Sequence, residues 1–143
     1  QPFVGFGLTL LPDDVAKLGQ WLNPPSASAQ DLLDTRMLRS ALQFDPMDRG
    51  RTTSADGTLL YNDGFWAMRV DDLPGCDAAV FVPFMSGFGG VTIALLPNGV
   101  TYYYFSDGNE FRFRRAVYAA ASLHPYCRTA TASPAVVAKD PAS

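Results

Sequence analysis

The stretch "VPFMSGFGGVTIALLPNGVTYYYFSDG", Val82 to Gly108, decides how this chain folds. Two apolar runs, "VTIALL" and "VTYYYF", flank Pro97-Asn98-Gly99. Asn-Gly is among the strongest short hairpin signals, because both residues tolerate the positive φ that a tight turn between twisted strands requires. The two runs are therefore predicted to pair antiparallel. Ahead of them, Gly87, Gly89 and Gly90 follow Ser86. Met85 to Gly90 is thus either the wall of an active site or a structural crossing between strands, which glycine permits.

Working outward from the hairpin, "AAVFVPFM" (Ala78 to Met85) and "GFWAMRV" (Gly64 to Val70) read as two further strands. Pro83 fits an edge strand better than a central one, since it has no N–H for a ladder. Downstream, Asp107 with Glu110 three residues later forms a capping box. It opens a helix predicted over 109–124, with Phe113, Ala116, Val117 and Ala120 as its buried stripe. Upstream, Pro12 at the first helical position and Asp13 and Asp14 in the first turn start a helix over Pro12 to Leu22. Its apolar stripe is Val15, Leu18 and Leu22. A second short helix is predicted over Thr35 to Gln43, with Met37, Leu38, Ala41 and Leu42 on one face. Residues 44–57 are polar and turn-rich, an exposed connection. The order, helices then an antiparallel meander then a closing helix, gives an α+β class with an antiparallel sheet flanked by helices. Residues 1–127 are read as a single partial α+β domain and 128–143 as a flexible small-residue tail without periodicity.

The chain has 143 residues, with 48% hydrophobic, 17% charged and a net charge of −3. One domain of this size buries roughly 68% of its unfolded surface. The acidic balance and the lack of a basic patch argue against nucleic acid as a partner. No apolar run approaches the ~18 residues of a membrane span. The chain begins Gln1-Pro2-Phe3, with neither an initiator Met nor a signal peptide, as a processed or truncated product would. Two cysteines, Cys76 and Cys127, lie beside turn residues. They are read as a bridge or as two free thiols. The bridge is favoured, and with it a secreted or periplasmic setting. Closing that loop of about 50 residues would stabilise by roughly 4 kcal/mol in the chain-entropy model. With His124 the sole histidine and no Cys-x-x-Cys, neither a metal nor another cofactor is expected.

Catalytic constellations are sparse. A Ser-His-Asp triad would need His124, which sits at a predicted helix end where the dipole favours it. Asp71 with Asp72, and Asp45 with Asp48, could form carboxylate pairs, but Asp is common in turns for its own backbone bonding. Gly87 to Gly90 opens no helix, so the dinucleotide fingerprint is rejected. No Ser-x-x-Lys and no Tyr-x-Asn occurs. Tyr102, Tyr103 and Tyr104 alternate faces of a strand, at least one of them in the core, and an aromatic platform is the competing use of the others.

The linear order of segments nevertheless resembles the β-lactamase-related, penicillin-binding-protein-like serine hydrolases. "LPDDVAKLG" (Leu11 to Gly19) is similar to their T-x-x-D-x-A-x-x-G helix start, "YNDGFW" to their Tyr-Gly-x-Gly-Trp strand, and "MSGFGGVTIALLPNGVTYYYFSD" to their last strands. The likeness covers about residues 4–127. It is strongest to a subgroup of secreted hydrolases with the pattern "PFMSG-aromatic-GG…LLPNGVTYYYFSD". It implies that this chain is the C-terminal portion of such an enzyme, of esterase or amidase type, acting on a small ester, amide or peptide. The nucleophile, in Ser-x-x-Lys, would lie on an N-terminal segment of the same protein or a companion chain, so no catalytic residue is expected here and the chain alone is expected to be inactive. Met85, Ser86, Gly87, Phe88 and Gly89 would form the substrate and oxyanion wall, on an edge strand beside the site. Met85 stands where the family has a cation, which disfavours a carboxylate-bearing β-lactam. The isolated chain is then expected to expose an apolar face. The competing class is a non-catalytic binding module presenting Tyr102, Tyr103, Tyr104, Phe84 and Phe88 on a concave aromatic sheet.

Overall fold

In a computed structural model, the structure describes residues 11–23, 31–87, 90–106, 108 and 111–127. Among these, three helices flank one six-stranded antiparallel sheet whose spatial order follows the chain. The elements are α1 (Pro12–Leu22), α2 (Thr35–Ala41), β1 (Arg51–Thr52), β2 (Leu59–Asn62), β3 (Phe65–Val70), β4 (Val80–Gly87), β5 (Val91–Leu95), β6 (Thr101–Tyr104) and α3 (Arg114–Leu123). The fold is α+β, as the sequence implies.

Alternation along the strands divides the core in two. On one face Met68, Val70, Val82, Phe84 and Ala94 pack with Phe113, Val117 and Ala120 at and along α3. On the other, Ile93 and Leu95 meet Val15 and Leu22 of α1 and Leu38 and Leu42 at the end of α2. Both faces are therefore covered. Exposed apolar groups lie at and beside β6, the last strand (Val100, Tyr102, Tyr103 and Phe105), and also at scattered sites that include Leu11, Leu32, Met47 and Leu123.

α1 runs over the predicted residues, with Asp14 Oδ2 accepting the Leu11 N–H at 3.1 Å. A Cβ on Gly19 would sit 2.5 Å from Thr101 Oγ1, so glycine is what lets α1 lie against β6. α2 is capped by Asp34, which accepts from Met37 N at 2.8 Å. It stops at Ala41 rather than Gln43, because Gln43 takes a left-handed φ of 65° that no helix continues through. Leu38, Ala41 and Leu42 are buried as expected, whereas Met37 is exposed.

The 91–104 hairpin forms as read, with Ile93 opposite Tyr103. Leu96 N donates to Val100 O at 2.8 Å and Gly99 has φ 83°. Asn98 reaches out of the turn and donates to Ala120 O and His124 O, tying the hairpin to the end of α3. The closing helix starts at Arg114, not at 109. Phe111 and Phe113 both sit edge-on to Phe84, at 4.8 and 4.9 Å, and this two-residue spacing onto one target belongs to extended chain. The capping pair Asp107 and Glu110, the N-terminal ten residues and the tail from 128 lie outside the described residues. Cys76 and Cys127 form the disulfide, with Cα atoms 5.3 Å apart. It ties the β3–β4 connection to the chain beyond α3.

β2 and β1 are additions to the sequence reading. Asp63 and Gly64, both at positive φ, make the two-residue turn joining β2 to β3. The strand Gly64 to Val70 starts one residue later than read, and the strand predicted over Ala78 to Met85 runs from Val80 to Gly87.

Candidate functional site

β4 is not an edge strand, which corrects the reading of Pro83 and of the "MSG" segment. It is the fourth of six strands, but its two halves use different neighbours. Val80 to Phe84 are in register with Val70 to Trp66 of β3, while Phe84 to Gly87 are in register with Ala94 to Val91 of β5. Phe84 alone has registered partners on both sides. Pro83, opposite Ala67, stands just before the β5 pairing begins, where its missing N–H leaves no gap in the β4–β5 ladder. Each half of β4 is thus locally an edge.

This stagger leaves Met85, Ser86 and Gly87 overhanging β3 and paired only with β5. In an antiparallel ladder successive residues turn their N–H and C=O alternately to the two sides. At least one of the three must therefore direct both groups to the open side. Ser86 and Gly87 are exposed. Ser86 lies in register with the buried Thr92, on the α3 side. Met85 projects to the opposite face and packs against the α1–α2 core. Its side chain serves that core, while Ser86 and Gly87 stand exposed. Phe88 and Gly89, the rest of the predicted wall, lie outside the described residues. Gly90 has a structural duty. At φ 80° its carbonyl accepts from Ser106 Oγ at 3.3 Å, and a Cβ there would sit 2.2 Å from Ser106 O.

Among the described residues no other constellation is assembled around Ser86. His124 caps α3 at the hairpin-turn end of the sheet, where its carbonyl accepts from Asn98. Ser86 is at the opposite end, opposite Thr92 near the start of β5. The carboxylate pairs are dispersed onto separate partners. Asp71 binds Arg69 at 2.7 Å, and Asp72 accepts from the Tyr118 hydroxyl, which holds its carboxyl below and the phenol above their usual ranges. Asp45 accepts from Met47 N. Asp48 accepts from Ser40 Oγ at 2.7 Å, the main cause of its lowered pKa. Asn62 Nδ2 in turn donates to Ser40 Oγ at 2.6 Å. This Ser40–Asp48–Asn62 cluster escaped the sequence reading, since its members are far apart along the chain. It has no base besides a carboxylate, and it pins the 44–50 loop between α2 and β2.

The aromatic platform also changes. Phe84 is fully buried between Trp66, Phe111 and Phe113 and is unavailable to a ligand. Tyr104 packs on the α3 core and accepts from Arg112 N, while Tyr102 and Tyr103 point to opposite faces. What remains is an aromatic edge, not a concave face. Among the described residues no group of three or more His, Cys, Asp or Glu is placed to hold a metal, and no helix is long and apolar enough to cross a membrane. Comparison of the chain with models of protein families, with curated proteins and with solved structures finds no match.

Proposed function

We propose that this chain is the sheet-bearing C-terminal portion of a secreted or periplasmic β-lactamase-like serine hydrolase of esterase or amidase type. The observation that carries the reading is the overhang of Ser86 and Gly87 past β3. It leaves exposed backbone on a rigid strand, free on one side to donate to a developing oxyanion or to pair with an extended acyl substrate. The overhang supplies no nucleophile and no base. Those come, on this reading, from an N-terminal complement carrying Ser-x-x-Lys, and the exposed aromatic edge of β6 is the surface that complement would cover. The disulfide fits an oxidising compartment.

The test is serine-directed labelling. Protein containing both this chain and its N-terminal complement should react with a fluorophosphonate probe at a serine of the complement, and this chain by itself should not. Absence of label on folded, complemented protein would sink the enzyme reading. Binding without catalysis through the β6 edge would then take its place, because Tyr102 and Tyr103, with Phe105 just beyond them, are exposed on the sheet's last strand, which has a partner on one side only.

A further inference from the structure

The other half of β4 bounds a cavity of about 190 Å³. Pro83, its lining residue on β4 nearest to Ser86, is three positions from it, roughly 10 Å of strand. The cavity opens where β4 and β5 have no registered pairs, between Pro83 and Leu95. The ends of α1 and α2 close it from the side. Its wall is mostly apolar, with Leu42, Phe81 and Leu95 contributing. A cavity of about 150 Å³ is enough for a benzene ring.

Two polar side chains on this wall keep donor capacity that the described residues do not use. Gln43 is 6% exposed, and its Nε2 is the buried side-chain polar atom that lacks a hydrogen-bond partner among the described residues. Gln43 ends α2 at a φ of 65°, which a residue other than glycine rarely adopts. Arg49 is half-buried, with its guanidinium carbon 3.9 Å above the centre of the Phe81 ring. Nη1 donates to Gln43 O at 2.8 Å and approaches Gln43 Oε1 only to 3.5 Å. Among the described residues no carboxylate lies within ion-pair distance of it. Burial, the larger cause, lowers its pKa, and Asp45 acts in the other direction. A half-buried cation with no carboxylate in direct contact, beside an orphan amide donor, presents donors that a single acceptor could serve together.

We propose that this cavity binds a small monocarboxylate with a compact apolar body. The carboxylate is held by Arg49 with Gln43 as second donor, and the apolar body lies among Leu42, Phe81 and Leu95. A planar guanidinium suits a carboxylate in particular, since two N–H groups meet two oxygens. The site is independent of the hydrolase reading, which concerns the other end of β4.

Benzoate is the probe, with benzyl alcohol (same ring, no charge) and acetate (same charge, no ring) as controls, titrated into the intact protein and followed by NMR. Benzoate should shift the Phe81 and Leu42 resonances saturably, and each control should bind at least about tenfold more weakly. Arg49→Gln keeps a planar donor over Phe81 and should weaken benzoate by about tenfold or more. Gln43→Asn tolerates the left-handed backbone but shortens the reach, and should weaken it several-fold. Equal binding of benzyl alcohol or of acetate would overturn the assignment without any variant being made. So would the absence of saturable shifts up to about 10 mM benzoate, or unchanged affinity in folded Arg49→Gln.

Discussion

The two faces of the sheet are built to different standards. Against α3 the packing is aromatic and closed: Phe84 is at the centre of a cluster with Trp66, Phe111 and Phe113, and the disulfide fastens the periphery. Against α1 and α2 the fully buried residues are aliphatic, with Trp21 and Phe65 only partly buried at their margin, and the packing is interrupted. There lie the cavity, the unpartnered Gln43 amide and the Ser40–Asp48–Asn62 cluster. The difference follows from how each cover is attached. α3 is held by the hairpin through Asn98, by Tyr126 donating to Val117 O at 2.7 Å, and by the disulfide beyond it. The end of α2 is held by a polar loop instead, and hydrogen bonds satisfy groups without filling volume. Burial raises the Tyr126 phenol to about 12, so the contact to Val117 persists through any physiological pH.

The comparison can be broken by mutation. Phe84→Ala removes the aromatic centre of the closed face and should destabilise by toward ~5 kcal/mol, measured by urea unfolding. Replacing both Cys76 and Cys127 by Ala should cost roughly 4 kcal/mol, since the bridge spans 51 residues of chain. The sharpest contrast comes from adding volume. Ala94→Leu inserts bulk where Ala94 is fully buried and should cost about 1–3 kcal/mol. Leu42→Phe, beside the cavity, should lie within about 1 kcal/mol of wild type, because there is space to receive the ring. Equal costs for the two would mean that the faces do not differ in packing.

How much of this is written in the sequence depends on whether the signal is local. The β5–β6 hairpin is legible because strand periodicity and Asn98-Gly99 agree. α1 is legible because Pro12, the two aspartates and the apolar stripe agree. Asp63-Gly64 carries the same kind of turn signal, but the strand before it, "LLYN", is four residues long and not strictly alternating, so β2 goes unread. β1 is two exposed residues without any apolar pattern. The stagger of β4, which creates both the Ser86 overhang and the cavity, is a matter of register between strands. Only Pro83 hints at it, by marking a place where a ladder bond is missing. The left-handed turn at Gln43 is likewise invisible, since glutamine has no preference for that conformation and tertiary packing imposes it.

The smallest expected effect tests whether the β1–β2 turn, which follows the loop attaching the interrupted face, is an ordinary solvated turn. Asp56 accepts hydrogen bonds from Thr58 N at 3.1 Å and Thr58 Oγ1 at 2.8 Å. The Ser54 hydroxyl, first, and then these bonds lower its pKa to about 2. The folded value is below the unfolded one, so its contribution is fully present above about pH 4 and is lost as pH falls toward 2. Because the carboxylate is open to solvent, the gain in stability should be slight. It should be visible as a carboxyl titration midpoint near 2 by NMR and as a small acid limb in stability that Asp56→Asn removes. A midpoint at the ordinary Asp value would mean that the turn is not formed in solution. The β1–β2 pairing it closes, Thr52 opposite Leu60, would then be too loosely held to anchor the sheet beside α2.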